Sequence, residues 1–376
     1  MKNNINVVCI VSILFVLYSC DRINSSNTCS NVVQITANLK QTNISDSLRL
    51  SDIADSVSCI CLKSDVGYLI GPIKDIRYES SRIYINQWAQ QPLLVFNDNG
   101  DFLMQVGAIG RGPGEYLSVT GFDIHPITSQ ILIWDETSKK IIVYTPDGAY
   151  VRHFIVHDFP RDFAVLENGD IIFYDPLSEF SQYHRGVWKT DSLGVFKETL
   201  IPINHKYKLS GGLFPKFFRP LGNGKVGFMS GEDKDNIYWI DSDSVIAKFH
   251  INTDIKIPKS HTKQSDVEEI RPLKMYLKCN YFETDRLLLF TITDYYCSVS
   301  KDVIFDKKFN RTYYPTENGM IFDLPNAFSL FYCCDNGKLL GVLYPEDIIG
   351  DNFLSEQFPA IGSDSNPIVI VYHMKN

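Results

Sequence analysis

One segment of the chain repeats another, and the repeat constrains the fold more than any other feature. Leu94-Val95-Phe96-Asn97-Asp98-Asn99-Gly100-Asp101-Phe102 returns 48 positions later as Ile142-Val143-Tyr144-Thr145-Pro146-Asp147-Gly148-Ala149-Tyr150. Looser copies run from Gly186 to Phe196 and from Ile237 to Val245. Each copy is a strand, a polar turn and a second strand, with Asn-Gly or Asp-Gly supplying the positive φ that a tight hairpin requires. Another strand pair precedes the hairpin, as in Phe163-Ala164-Val165, the turn Glu167-Asn168-Gly169-Asp170, and Ile171-Ile172-Phe173-Tyr174. Four short strands in roughly 46–50 residues is the arithmetic of a β-propeller blade.

The strands are rich in β-branched and aromatic residues and only four to six residues long, for example Ile83–Ile85, Ile131–Trp134 and Leu287–Ile292. Helical periodicity is confined to Ser265–Met275, broken by Pro272, and to Glu346–Phe358. The expected architecture is therefore all-β, with six blades over 70–105, 119–156, 161–200, 216–252, 276–314 and 328–373. The sixth unit is short of a strand unless Val57–Leu62 joins it. Pairing the two ends of the folded chain would close the ring and hide two raw sheet edges.

The first residues follow other rules. Lys2 precedes an apolar stretch, Ile5–Leu17, of signal-peptide length and too short to span a bilayer. It ends in Leu17-Tyr18-Ser19-Cys20, which resembles a lipobox although Tyr18 is bulkier than usual. The alternative is an ordinary signal peptide with an incidental Cys. The favoured division is a signal peptide at 1–19, a lipidated Cys20 with a Ser/Asn/Thr-rich linker to 55, and a propeller at 56–376. Lipid on Cys20 would hold the protein to an envelope membrane, periplasmic or surface-exposed.

Seven cysteines remain after Cys9 leaves with the signal and Cys20 takes lipid: Cys29, Cys59, Cys61, Cys279, Cys297, Cys333 and Cys334. An odd number leaves at least one thiol unpaired within the chain. Buried apolar thiols are the simpler reading, with one or two disulfides as the alternative after export. The formal charge of −8 is mild, and no Lys/Arg run of the nucleic-acid type occurs.

These residues then meet a family. Val95-Phe96, Gly100-Asp101-Phe102, Gly107, Gly110-Arg111-Gly112-Pro113-Gly114-Glu115-Tyr116, Phe122-Asp123 and Ile131–Asp135 resemble the NHL-type repeat. With the lipobox and the closing segment Asn366–Tyr372, the chain is similar to the six-bladed β-propeller lipoproteins of Bacteroidetes-type bacteria. The resemblance covers 83–150 well and the remainder of 57–376 loosely, and Phe322–Ala327 departs from the Asp/Gly-rich loop expected there. It implies fold and address, not a chemistry.

Two constellations are candidates for binding. The GRGPGEY loop can present backbone amides and the Arg111 guanidinium to a carboxylate or phosphate; the plainer alternative is a connector in which Arg111 and Glu115 pair locally. It lacks the Lys-Ser/Thr ending of a P-loop. The second is a ring where each innermost strand begins: Lys74, Asp75, Arg77, Asp123, His125, Arg161, Asp162, Lys216, Arg219 and Lys278. Cations outnumber carboxylates in that ring, which suits an anionic ligand such as an acidic sugar or a peptide carboxylate. A self-paired channel lining is the competing and favoured reading.

No catalytic residue, metal site or cofactor is assigned. Asn97–Asp101 lacks the distal Glu of an EF-hand, and His153 with His157 has no third ligand. The expected function is a membrane-tethered propeller that binds a glycan, peptide or protein. The alternative is an envelope hydrolase or lyase at the central face, for which Glu115, Asp123 or Asp162 could form a carboxylate pair. A weaker third reading is a structural partner in a membrane complex.

Overall fold

The computed structural model describes residues 32–37, 48–64, 67–88, 90–175, 186–202, 216–229, 236–253, 276–294, 300–314, 320–321, 323–327, 333–335 and 338–375. The expected signal peptide at 1–19, Cys20, Cys29, Cys297 and the helical expectation at Ser265–Met275 lie outside them, as do the side chains of Cys279, Cys333 and Cys334.

Among the described residues six sheets form the blades, each with four antiparallel strands, and one of them, blade 4, carries a fifth strand in parallel. Blade 1 comprises Ile73–Glu79, Arg82–Gln87, Leu93–Asn97 and Phe102–Val106. Blade 2 comprises Gly121–Ile124, Ile131–Asp135, Lys140–Tyr144 and Tyr150–Ile155. Blade 3 is built from Asp162–Val165, Ile171–Asp175, Gly186–Thr190 and Phe196–Pro202, and blade 4 from Phe218–Gly222, Lys225–Met229, Asn236–Ile240 and Val245–Thr253. Blade 5 holds Tyr276–Glu283, Leu287–Asp294, Ser300–Asp306 and Arg311–Tyr313. The first strands of neighbouring sheets contact one another, so they surround the axis.

Blade 6 takes Cys333–Asp335, Lys338–Leu343 and Ile368–Met374 from the end of the chain and Ala54–Cys61 from near its beginning. The closing register sets Tyr372 opposite Val57 and Ile368 opposite Cys61. The expected ring closure is thus present, starting three residues earlier than the Val57–Leu62 segment read from the sequence. Buried Asn366 fastens the junction with blade 1, its Oδ1 accepting from Ile70 N (2.8 Å) and its Nδ2 donating to the carbonyls of Lys63 (3.0 Å) and Tyr68 (2.9 Å).

The core lies between blades, and the period-2 pattern of the strands explains it. In blade 2, Ile131 and Ile133 pack toward Tyr84 and Val95 of blade 1. The alternate residues, Leu132 and Trp134, pack toward Phe163 and Phe173 of blade 3. A sheet buried on both faces needs apolar residues at every position, so these strands read as unbroken hydrophobic runs. Turn chemistry sets the hairpins. Asn97 Oδ1 accepts from the amides of Asn99 (2.9 Å) and Asp101 (2.8 Å), and Gly100 stands at φ 79°. The calcium-like spelling of Asn97–Asp101 is thereby a hairpin turn.

The folded body also reaches further toward the N-terminus than the linker boundary at 55. Val33–Ala37 adds to the outer strand of blade 4 in parallel, with Val33 opposite Phe249 and Ala37 opposite Thr253. Leu48–Ile53 packs into the core of the closing blade through Leu48, Leu50 and Ile53. The helical expectation at Glu346–Phe358 resolves into two short helices, Pro345–Ile349 and Asn352–Gln357, broken at Gly350-Asp351. Cys59 is half-buried and Cys61 exposed, both as free thiols, so the buried-thiol expectation fails for Cys61. Burial, and secondarily the neighbouring Cys61, pushes the Cys59 thiol up to about 11.

Candidate functional site in the axial channel

Polar side chains on the inner strands of blades 1 to 4 meet in two layers around the axis. In one layer, Arg77 of blade 1 donates to Asp123 Oδ1 of blade 2, and Asp123 Oδ2 accepts the Val165 amide of blade 3 (2.8 Å). In the other, Lys216, at the start of blade 4, reaches across the axis. Its Nζ donates to the Phe122 carbonyl (3.1 Å) and lies 3.4 Å from Asp162 Oδ1 and 4.0 Å from Asp75 Oδ2. Asp162 also accepts from the amides of Phe163 (2.9 Å), Phe217 (2.6 Å) and Phe218 (2.8 Å). All five charged side chains are buried.

Burial raises the Asp162 carboxyl above its ordinary value, against the opposing pull of Lys216 and the two blade 4 amides. Asp75 turns Oδ1 to the Ile76 amide (3.0 Å), while its Oδ2 has no hydrogen-bond partner among the described residues. Buried charges persist only where partners surround them, and here the partners come from four different blades.

A cavity of about 240 Å³ stands above this floor. It is lined by Arg77, Asp123 and Lys216 below, by Ile124, Val165, Phe218 and Val226 at the sides, and by Glu79, Ile127, Glu167 and Lys225 at the rim. The rim residues lie in the turns between first and second strands or at the strand ends beside them. The cavity therefore opens on the turn face, opposite to the connector face where the inner strands begin. The sequence reading placed a ligand on the connector face; of its expected ring, Arg77, Asp123 and Lys216 line this cavity on the turn side.

The rim has its own order. His125 Nδ1 accepts from the amides of Ile127 (3.2 Å) and Thr128 (3.4 Å), which places the proton of the neutral ring on Nε2. Desolvation lowers the His125 pKa, partly offset by Asp123 and Glu167. Gly224 stands at φ 69°, and a Cβ there would overlap Glu167 Oε2, so glycine lets the blade 4 turn close against that carboxylate.

The other expected binding residues are dispersed. Lys74 is half-buried on the connector side; its ammonium donates to the Thr120 carbonyl (2.6 Å), sits 5.5 Å from the Trp88 ring centroid, and has its pKa lowered by desolvation. Arg161 is exposed on the connector side. Arg219 is buried, donating from Nε to the Tyr281 carbonyl (3.1 Å) with its guanidinium 5.0 Å from the Phe282 ring. The side chain of Lys278 lies outside the described residues.

Arg111 and Glu115 lie at the periphery. The GRGPGEY loop follows the outer strand of blade 1, pairs Ala108-Ile109 with Glu115-Tyr116, and abuts Tyr150 on the outer strand of blade 2 through Gly114. Glu115 Oε2 accepts the Gly112 amide (2.6 Å), and Tyr144 donates to the Gly114 carbonyl (3.0 Å). The loop's carboxylate serves its own backbone, and Arg111 is exposed. His153 bonds to the Tyr150 hydroxyl (2.8 Å). Among the described residues no group of three or more His, Cys, Asp or Glu is disposed to hold a metal.

Glu79, Glu167 and Lys225 were not marked by the sequence reading. Glu167 is in a hairpin turn and Glu79 and Lys225 stand at strand ends beside turns, where charged residues are ordinary, and the radial arrangement brings them to one mouth.

Comparison with known proteins agrees with this architecture. A "Putative exported protein" from Bacteroides fragilis NCTC 9343 superposes with a TM-score of 0.70 at 17% identity, covering 92% of this chain and 100% of its own. At that identity the likeness shows the fold alone. A member of the duf4221 family from Bacteroides vulgatus matches at TM-score 0.46 and 10% identity over 86% of this chain and 97% of its own. Virginiamycin B lyase from Staphylococcus aureus matches at TM-score 0.40 and 11% identity over 84% and 99%. No curated protein matches the sequence. The profile described as "Domain of unknown function (DUF4934)" spans residues 30–373, nearly the whole described propeller, and the chain belongs to that family.

Proposed function

We propose that the protein is an exported, lipid-anchored binding propeller that receives a small ligand in the axial cavity on its turn face. The cavity carries the reading: four blades converge on an apolar-walled chamber whose charged floor is held rigid by ion pairs. A few fixed polar groups in an apolar concavity is the usual composition of a small-molecule site. Export is supported by the signal-like Ile5–Leu17 stretch and by the name of the Bacteroides fragilis protein of the same fold. The lipid on Cys20 rests on the Leu17–Cys20 motif.

Two experiments test the parts separately. Cys20→Ser should move the protein from the membrane to the soluble envelope fraction; unchanged fractionation removes the anchor. Soaking crystals of residues 30–376 with small fragments should fill the axial cavity, and density confined to other sites would defeat the site.

A second reading, an envelope hydrolase or lyase at the same face, draws on the carboxylates Glu79 and Glu167 at the rim near His125. Turnover of a carbohydrate or peptide that persists in Glu79→Gln/Glu167→Gln would remove it.

A further inference from the structure

We propose that Cys59 and Cys61 form a two-coordinate site for a soft monovalent cation, Cu(I), at the outer edge of the closing blade. The site is separate from the axial cavity and does not depend on it.

Strand geometry is the first argument. Both cysteines lie on Ala54–Cys61, the outermost strand of blade 6, and pair in unbroken register, Cys59 opposite Ile370 and Cys61 opposite Ile368. Side chains two apart on a regular strand share one face, with their Cβ atoms about 6.7 Å apart. A disulfide holds its Cβ atoms at about 3.5–4.5 Å, and closing one here would require each sulfur to lean further than the Cβ–S bond is long. The pair therefore stays a dithiol unless the backbone moves. A linear sulfur–metal–sulfur unit, at about 2.3 Å per bond, spans about 4.6 Å between its sulfurs. Each side chain reaches that span by leaning about 1 Å along the strand, which staggered rotamers allow.

The surroundings are the second argument. Cys61 is exposed, so an ion reaches it from solvent. Cys59 is half-buried against an apolar cluster and directs its thiol to the Asn326 carbonyl (3.8 Å). Burial, and then the presence of Cys61, raises the Cys59 pKa, as two sulfurs turned to one face require. Among the described residues no third His, Cys, Asp or Glu is grouped with the pair. Zn(II) takes four such ligands, and Ca(II) and Mg(II) take oxygens. Two thiolates by themselves suit a soft ion that is satisfied by two, and Cu(I) is the ion that thiolate ligands select in that way.

Binding conserves charge and electrons. Two S–H bonds break, two S–Cu bonds form, and two protons leave to solvent. One Cu(I) and two thiols thus give a bis-thiolate of net charge −1, with copper and sulfur unchanged in oxidation state.

The test titrates the reduced protein, purified in detergent under nitrogen, with Cu(I) in competition with bathocuproine disulfonate. At one equivalent the ion should be bound by two sulfurs, as read by X-ray absorption. Cys59→Ser and Cys61→Ser should each weaken retention of that ion at least tenfold, and the double variant should behave like the single ones. Cys61 is exposed, so Cys61→Ser leaves the fold intact, and an unchanged circular dichroism spectrum confirms it. Equal retention by wild type and Cys61→Ser, tighter binding of Zn(II) than of Cu(I), or a third sulfur on the ion overturns the site. A Cys59–Cys61 disulfide found by peptide mass spectrometry after exposure to air also overturns it, because sulfurs that join directly contradict the span.

Discussion

Lys216 Nζ lies 3.4 Å from Asp162 Oδ1, and the same carboxylate accepts the amides of the two residues that follow Lys216. One acidic side chain of blade 3 thus fixes both the charge and the backbone at which blade 4 begins. Both residues are buried, so removing either leaves the other charge without its main partner. Lys216→Met should cost about 3–5 kcal/mol, as expected for breaking a buried pair from one side. Urea denaturation of Lys216→Met, Asp162→Asn and the double variant checks this. Losses that simply add would show that the two residues do not act together.

His125 gives the cavity rim a pH dependence of definite sign. Its neutral Nδ1 accepts two amide hydrogens, and desolvation holds its folded pKa below the ordinary 6.5. A histidine with a depressed folded pKa contributes stability that is present above the unfolded value and is lost as pH falls through the folded value. The turn carrying Ile127 should therefore be firm near neutrality and loosen as the pH drops below about 6.5. Amide exchange at Ile127 and Thr128 should accelerate over that range in wild type. His125→Gln should show no such step; a step that survives the substitution assigns it elsewhere.

Most of the architecture was legible because both faces of each blade are buried. Residues such as Ile131–Trp134 have to be apolar without interruption, and the glycines at 100, 148, 169 and 194 mark turns with positive φ in successive hairpins. The strand Val33–Ala37 was not legible. Gln34 and Thr36 face outward and make it look like linker, and a parallel addition needs no hairpin turn to announce it. The candidate site was legible only in part. Arg77, Asp123, Asp162 and Lys216 could be placed near the axis, but pairing across it joins residues such as Asp75 and Lys216 with no local signature. The direction in which the cavity opens depends on which turns leave space between them, and sequence spacing does not encode that.

The GRGPGEY loop should respond unequally to its two charged residues. Glu115 accepts the Gly112 amide at 2.6 Å, whereas Arg111 is exposed. Glu115→Ala removes a charge-assisted bond of about 1.5–3 kcal/mol. Arg111→Ala should stay within about 0.5 kcal/mol of wild type, like other surface changes. Thermal denaturation of the two variants checks the contrast. A comparable loss from Arg111→Ala would mean that the guanidinium supports the loop.

The parallel strand Val33–Ala37 makes a last prediction about solubility. Ile35 and Ala37 are buried against Phe249, Ile251, Phe290 and Phe305. The strand also covers the outer edge of blade 4 along Phe249–Thr253, so that without it the whole nine-residue strand Val245–Thr253 would present an uncovered edge. An edge that long and that apolar is a template for pairing with another chain. Deleting residues through Ala37 should therefore leave the propeller folded but self-associating, because ring closure lies in blade 6 and is untouched. Ile35→Asp should act in the same direction by placing a carboxylate in an apolar cluster. Light scattering against concentration, read beside circular dichroism, separates the outcomes. A deletion variant that remains monomeric would show that blade 4 needs no cover, and one that loses its strand signal would make Val33–Ala37 part of the cooperative core.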